Sequence, residues 1–183
     1  TAMQTNAFKG AEMYQEVMGK ACDSFANGDQ TSTMIRTVKG KTMLIQHNVM
    51  TPRPYNRMFQ AVGTQGYAAK YPVPEVQLSP EMAAKVGIEM EDDKLPLNAS
   101  QIETLLNHYA PSFSAETIAL AKELDARGGM SYFMDLRLAQ CLQQGLPLDM
   151  DVYDLAEWCC IAQLSKLSVE HRSMPVMIPD FVH

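Results

Sequence analysis

With 183 residues and 46% hydrophobic content, the chain is long enough to bury a real core, and one globular unit over 1–183 is the default expectation. Fifteen Lys plus Arg against 21 Asp plus Glu give a net charge of −6, with no basic stripe, which argues against a nucleic-acid partner. Charge or Gln interrupts every apolar stretch well before the ~20 residues a bilayer span needs, so no membrane partner is expected and the chain reads as soluble.

Residues 11–25, "AEMYQEVMGKACDSF", place Met13, Val17, Met18, Ala21 and Phe25 at helical spacing before an Asn27-Gly28 stop, which predicts a short helix. "TSTMIRTVKGKTMLIQHNV" then alternates in the manner of two antiparallel strands joined at Lys39-Gly40. "YNRMFQAVGTQGYAAKY" adds a strand through Met58, Gln60 and Val62, a turn at Gly63 to Gly66, and a strand ending at Tyr71. These elements predict one mostly antiparallel sheet with helices to follow, and strand chemistry is expected to stop near Pro72 and Pro74.

"SPEMAAKVG" opens a helix with Ser79 at the N-cap and Pro80 at its first position. Helical periodicity continues in "NASQIETLLNHYA", "SAETIALAKELDA", "MSYFMDLRLAQCLQQG" and "DVYDLAEWCCIAQLSKLSVEHR". In the last, Asp149, Asp151 and Asp154 sit where a helix N-terminus favours carboxylates, so they read as caps rather than a cation site. "MPVMIPDF" resembles an edge strand bounded by prolines. Strands first and helices after give an α+β class, an open, mostly antiparallel sheet packed with helices.

Chemistry-bearing motifs are sparse. Cys22, Cys141, Cys159 and Cys160 lack metal or redox spacing and read as buried free thiols, while His47, His108, His171 and His183 are too dispersed to bind a metal. No Gly-x-Gly-x-x-Gly occurs, so neither a Rossmann domain nor a cofactor site is expected in this chain. The unusual stretch is "TPRPYNR", residues 51–57. Pro52 and Pro54 fix their own φ and hold Thr51 and Arg53 extended, giving a stiff connection. The residues leave two readings open. Tyr55 is either held out for a ligand such as a sugar, which suits a phenol on an apolar ring, or packed in the core at the end of an edge strand. Arg53 and Arg57 are either ligand contacts or surface charges, solvated or paired with a carboxylate such as Glu75.

Residues 28–66, "GDQTSTMIRTVKGKTMLIQHNVMTPRPYNRMFQAVGTQG", and 127–181, "RGGMSYFMDLRLAQCLQQGLPLDMDVYDLAEWCCIAQLSKLSVEHRSMPVMIPDF", resemble the C-terminal domain of the Gfo/Idh/MocA oxidoreductase family. The Gly-Lys-Thr strand, the Pro-Arg-Pro-Tyr turn and "GLPLDMDVYDLAEW" together narrow the resemblance to glycoside hydrolase family 109, the NAD-dependent α-N-acetylgalactosaminidases. The resemblance implies the second half of a two-domain protein, whose N-terminal Rossmann domain binds most of the NAD, and a homo-oligomer formed through the sheet face. It implies a carbohydrate substrate whose C3 hydroxyl is transiently oxidised, so that the C2 proton is acidified, the C1 substituent is eliminated, water adds and the hydride returns.

By the same resemblance Tyr55 matches a substrate-contacting tyrosine, with Arg53 and Arg57 beside it as candidate substrate-binding residues; catalytic residues are not assigned. The family's Tyr-Pro-Thr-His stretch has no counterpart in this chain. Where relatives read His-Gly-Gly-Met-Asp, this chain has Arg127-Gly128-Gly129-Met130-Ser131, a departure that leaves N-acetylgalactosamine specificity open. A sugar dehydrogenase substrate domain and a non-catalytic oligomerisation or carbohydrate-binding module are the alternatives. The compartment stays open, since relatives of this kind are often exported.

Overall fold

The computed structural model describes residues 1–22, 24–110, 113–125 and 128–181. Arg127 and His183 lie outside them. The chain divides into two compact units, Thr1–Pro54 with Leu148–His183, and Tyr55–Pro147. The α+β class holds, but the strands form two sheets of three rather than one sheet.

The first unit is built on β1 (Ala2–Gln4), β2 (Gln30–Arg36) and β3 (Thr42–Asn48), antiparallel in that order. The β2–β3 hairpin closes where Gly40 N–H donates to Thr37 O (2.9 Å) and Thr37 N–H to Lys41 O (2.8 Å). Gly40 takes φ 79°, which explains the glycine there. Register pairs Thr33 with Ile45 and Met34 with Leu44, so alternate residues turn to opposite faces. β1 was not expected: no hairpin turn announces it, because its partner β2 follows only after α1.

Helix α1 (Phe8–Met18) stops seven residues before the sequence pattern suggested, at Gly19 with φ 66°. Phe25 lies beyond it and still packs edge-on against Tyr14, with centroids 5.9 Å apart. Ala7 offers no side-chain cap. Asp29 supplies one from a distance instead, accepting from Lys9 N–H (2.7 Å) and Gly10 N–H (2.9 Å). The Lys9 N–H chiefly, with those of Gly10 and Phe8, holds the Asp29 carboxyl below its ordinary range, and burial works against this.

Helix α6 (Val152–Glu170) begins with a capping box in which Asp151 accepts from Tyr153 and Asp154 N–H while Asp154 accepts from Asp151 N–H. Capping is thus what Asp151 and Asp154 do. Toward its C-terminus α6 buries two serines against the sheet. Ser168 Oγ accepts from Ala2 N–H (2.9 Å) and donates to Met174 O (2.7 Å), and Ser165 and Thr33 share a hydrogen bond of 2.9 Å. Small hydroxyls let helix and strand backbones approach closely, and each buried polar atom is satisfied. Residues 174–181 form no strand, contrary to expectation: prolines 175 and 179 lack the N–H groups a ladder requires.

The second unit carries β4 (Gln60–Val62), β5 (Gly66–Ala69) and β6 (Glu75–Leu78), again antiparallel in order. β6 overturns the expectation that strands end at Pro72 and Pro74: both prolines precede it, so none of its N–H groups is lost. Four helices follow, α2 (Pro80–Lys85), α3 (Ala99–Tyr109), α4 (Ala115–Leu124) and α5 (Met130–Gln144). Ser79, Asn98 and Ser114 cap the first three through Met82, Gln101 and Thr117 N–H. The core here joins Ala83, Val86, Ile88 and Leu97, with Val76, Leu78, Ile102 and Leu105 packed on it. Gly128 and Gly129 turn the chain into α5 with φ 77° and 90°. A Cβ on Gly129 would stand 2.8 Å from that of the fully buried Ala121 on α4.

Two outcomes follow for the chain. Gly129→Ala meets both a left-handed backbone and the Ala121 contact, and is expected to destabilise by about 1–3 kcal/mol in urea unfolding; a change within 0.5 kcal/mol would contradict the close approach. Because the Asp29 pKa is depressed on folding, its contribution is present above the unfolded carboxyl value of about 4 and fades as pH falls through the lower folded value. Asp29→Asn should therefore lower Tm at pH 7, with the gap to wild type shrinking on acidification below about pH 4; a gap constant down to pH 2 would contradict the capping role.

Candidate functional site

Strand β3 ends at Asn48, whose side chain takes over the hydrogen bonding that the strand gives up. Its Oδ1 accepts from Met50 N–H (3.3 Å), Thr51 N–H (3.2 Å) and the Thr51 hydroxyl (3.0 Å), while Nδ2 donates to Gln30 Oε1 (3.0 Å). This is Asx-turn chemistry, and it delivers the chain into Pro52. Arg53 then folds back, a guanidinium nitrogen donating to Asn48 O at 3.3 Å. Arg53 is thus engaged with its own strand end, in the first unit.

Tyr55 opens the second unit and is 69% exposed, which rules out the core-packing reading. Two neighbours define its pose. Tyr71, half-buried just beyond β5, presents itself edge to face, with centroids 5.8 Å apart and planes at 84°. Arg57 donates from Nε to the Tyr55 phenol oxygen, its guanidinium carbon 5.6 Å from the ring centroid. Asn56 shapes the loop between them by accepting from Met58 N–H, with Met58 at φ 48°.

The structure therefore brings Tyr55, Arg57 and Tyr71 together and turns Arg53 to the end of β3. Arg57 is spent on Tyr55 rather than on a carboxylate. Tyr71 was missed in the sequence, where it read only as the end of a strand; a contact across sixteen residues leaves no periodic signal. An exposed aromatic ring with an anchored hydroxyl can cover a sugar's apolar face while bonding one of its oxygens.

Ser131 lies in the first turn of α5 and is exposed, and its N–H donates to Asp125 Oδ2 at 2.7 Å. In this structure it stabilises a helix start. Its companion in the sequence motif, Arg127, is outside the described residues.

Elsewhere in the first unit, an open pocket of about 440 Å³ lies beside the contact between α6 and the sheet, with Thr33, Ile45, His47, Trp158, Ile161 and Ser165 among its lining. Of the cysteines, which make no disulfide, only Cys141 is fully buried; Cys159 is exposed, contrary to the expectation that all four are buried. Among the described residues no cluster of three or more His, Cys, Asp or Glu could hold a metal, and no helix is long and apolar enough to cross a membrane. The stretch 63–66 does not form a dinucleotide-binding turn. Gly63 and Gly66 are tied to each other in the β4–β5 hairpin, Gly63 N–H donating to Gly66 O at 2.8 Å, rather than leading from a strand into a helix N-terminus.

Comparison with known proteins gives this geometry its context. The family described as glycosyl hydrolase 109, C-terminal domain, matches residues 5–183. "Glycosyl hydrolase family 109 protein 1" of Bacteroides fragilis strain YCH46 is 51% identical over 184 residues, covering 98% of this chain and 39% of the relative. The protein of the same name in Bacteroides thetaiotaomicron is 50% identical over 184 residues, with the same coverage. A "Glycosyl hydrolase family 109 protein" of Porphyromonas gingivalis is 50% identical over 186 residues, again 98% and 39% covered. The chain thus spans about two fifths of the length of these relatives. It belongs to the glycosyl hydrolase 109 C-terminal domain family.

Proposed function

We propose that this chain is the substrate-binding domain of an NAD-dependent glycosidase, in which an N-terminal Rossmann domain holds the cofactor and Tyr55 contacts the sugar. The observation that carries this reading is Tyr55 itself: large, aromatic and 69% exposed, yet fixed by Tyr71 and Arg57. An exposed tyrosine with no task does not need two anchors. The relatives, matched over 98% of this chain, bear the name glycosyl hydrolase family 109, which supports a sugar as the ligand.

In such an enzyme the nicotinamide supplies reversible oxidation at C3 of the sugar. This domain's part is narrower. Tyr55 orients the ring and excludes water from one side, which lowers the entropic cost of reaching a reactive geometry.

A second reading, the substrate domain of a sugar dehydrogenase, rests on Ser131, which takes the place of the Asp that the family resemblance implies and whose N–H serves the start of α5. We further propose that the protein self-associates through the sheet face remote from α6, where Met3, Met34 and Leu44 are 61%, 62% and 54% exposed. Met34 faces Leu44 across the β2–β3 ladder, so the two form one patch.

Assayed against nitrophenyl glycosides, the intact enzyme carrying this domain is expected to hydrolyse an α-N-acetylgalactosaminide, and Tyr55→Phe to lower kcat/KM by about 10- to 100-fold. Unchanged activity in the variant would remove Tyr55 from the site. NAD reduction by free sugars without hydrolysis would favour the dehydrogenase reading. In sedimentation, Met34→Lys is expected to dissociate the oligomer while leaving the circular dichroism unchanged; a wild-type monomer at high micromolar concentration would exclude this interface.

A further inference from the structure

The contact between Arg57 and Tyr55 settles a question of hydrogen-bond polarity. A guanidinium has five N–H donors, no acceptor, and keeps its proton at all accessible pH. When Arg57 Nε bonds the phenol oxygen, Arg57 must be the donor and Tyr55 the acceptor. One lone pair of the phenol is thereby used, and its own hydrogen is left to point elsewhere. Tyr71 meets Tyr55 edge to face rather than hydroxyl to hydroxyl, and it constrains rotation of the ring.

We infer that Arg57 and Tyr71 are positioning residues that fix Tyr55 as a hydrogen-bond donor toward the ligand, so that the group recognised there is an acceptor oxygen, such as an amide carbonyl or a sugar hydroxyl oxygen. This rests on the reading of Tyr55 as a ligand contact and assigns Arg57 a task other than touching substrate. A cationic donor lowers the electron density on the phenol oxygen, which strengthens the hydrogen bond that its O–H can donate. A protonated amine, having no acceptor, is disfavoured at this position. Arg53, which donates to Asn48 O, takes no part.

Two measurements test the inference independently. On the chain itself, nitrogen-15 NMR should show the Arg57 Nε–H resonance protected from exchange, and Tyr55→Phe should abolish that protection and shift the signal. An Nε–H that exchanges freely, or ignores Tyr55→Phe, overturns the inference whether or not any glycoside is turned over. In the intact enzyme, with a nitrophenyl α-N-acetylgalactosaminide as probe, Arg57→Gln should lower kcat/KM about tenfold when Tyr55 is present and leave it unchanged in the Tyr55→Phe background. Arg57→Lys, still a donor but without the planar fork, should recover part of the loss. Equal losses in both backgrounds would mean that Arg57 acts on substrate directly and would overturn the positioning role. If Tyr55→Phe alone has no effect while the NMR coupling is present, it is the functional reading of Tyr55 that fails, not the clamp.

Discussion

Pro52 and Pro54 have no backbone N–H, so the segment that leads to Tyr55 cannot donate to a strand ladder at those two positions. Strand β3 ends at Asn48, opposite Gln30 where its partner β2 begins, and Pro52 and Pro54 remove two donors from the segment beyond. Asn48 ties down the residues between strand and prolines, accepting from Met50 and Thr51 N–H and the Thr51 hydroxyl and donating to the Gln30 side chain. The chain then stays extended through Arg53. The first sheet is complete at this point, and the next strands pair only with one another.

Just past those prolines stands the side chain on which the functional reading turns. Exposure alone would say little, since many apolar side chains here are exposed. What separates Tyr55 from Met34 or Leu142 is that its ring and its hydroxyl each have a partner, Tyr71 and Arg57. A side chain with both degrees of freedom restrained loses less entropy on binding a ligand, and that restraint costs entropy in the free protein. Fixed polarity is the added consequence. A serine or an untethered tyrosine could donate or accept; this one is left to donate.

Much of the fold was legible because local rules agreed with global ones. Ser79 before Pro80, Ser114 before Thr117 and Asp151 before Asp154 each announce a helix start, and each is a cap in the structure. The misses share a physical cause. β1 has no hairpin turn to announce it, because it pairs with β2 across α1, and β6 follows Pro72 and Pro74, whereas the equally short β4 and β5 are marked by the turn between them. The buried face of α6 is carried partly by Ser165 and Ser168, so its inward side looks polar in sequence, and only the partners Thr33, Ala2 and Met174 explain it. Asp29 carries no local signal of its role, because the helix it caps begins 21 positions earlier. At the site, the prolines and Tyr55 stood out as a local oddity. Tyr71 did not, because an edge-to-face contact between distant residues leaves no pattern in composition or spacing.

The most direct test of the account is a crystal structure of the intact enzyme with N-acetylgalactosamine bound. The account predicts the Tyr55 hydroxyl within hydrogen-bond distance of a sugar oxygen, with Arg57 still on the phenol and Tyr71 still against the ring. A sugar held elsewhere, with Tyr55 left in solvent, would contradict it.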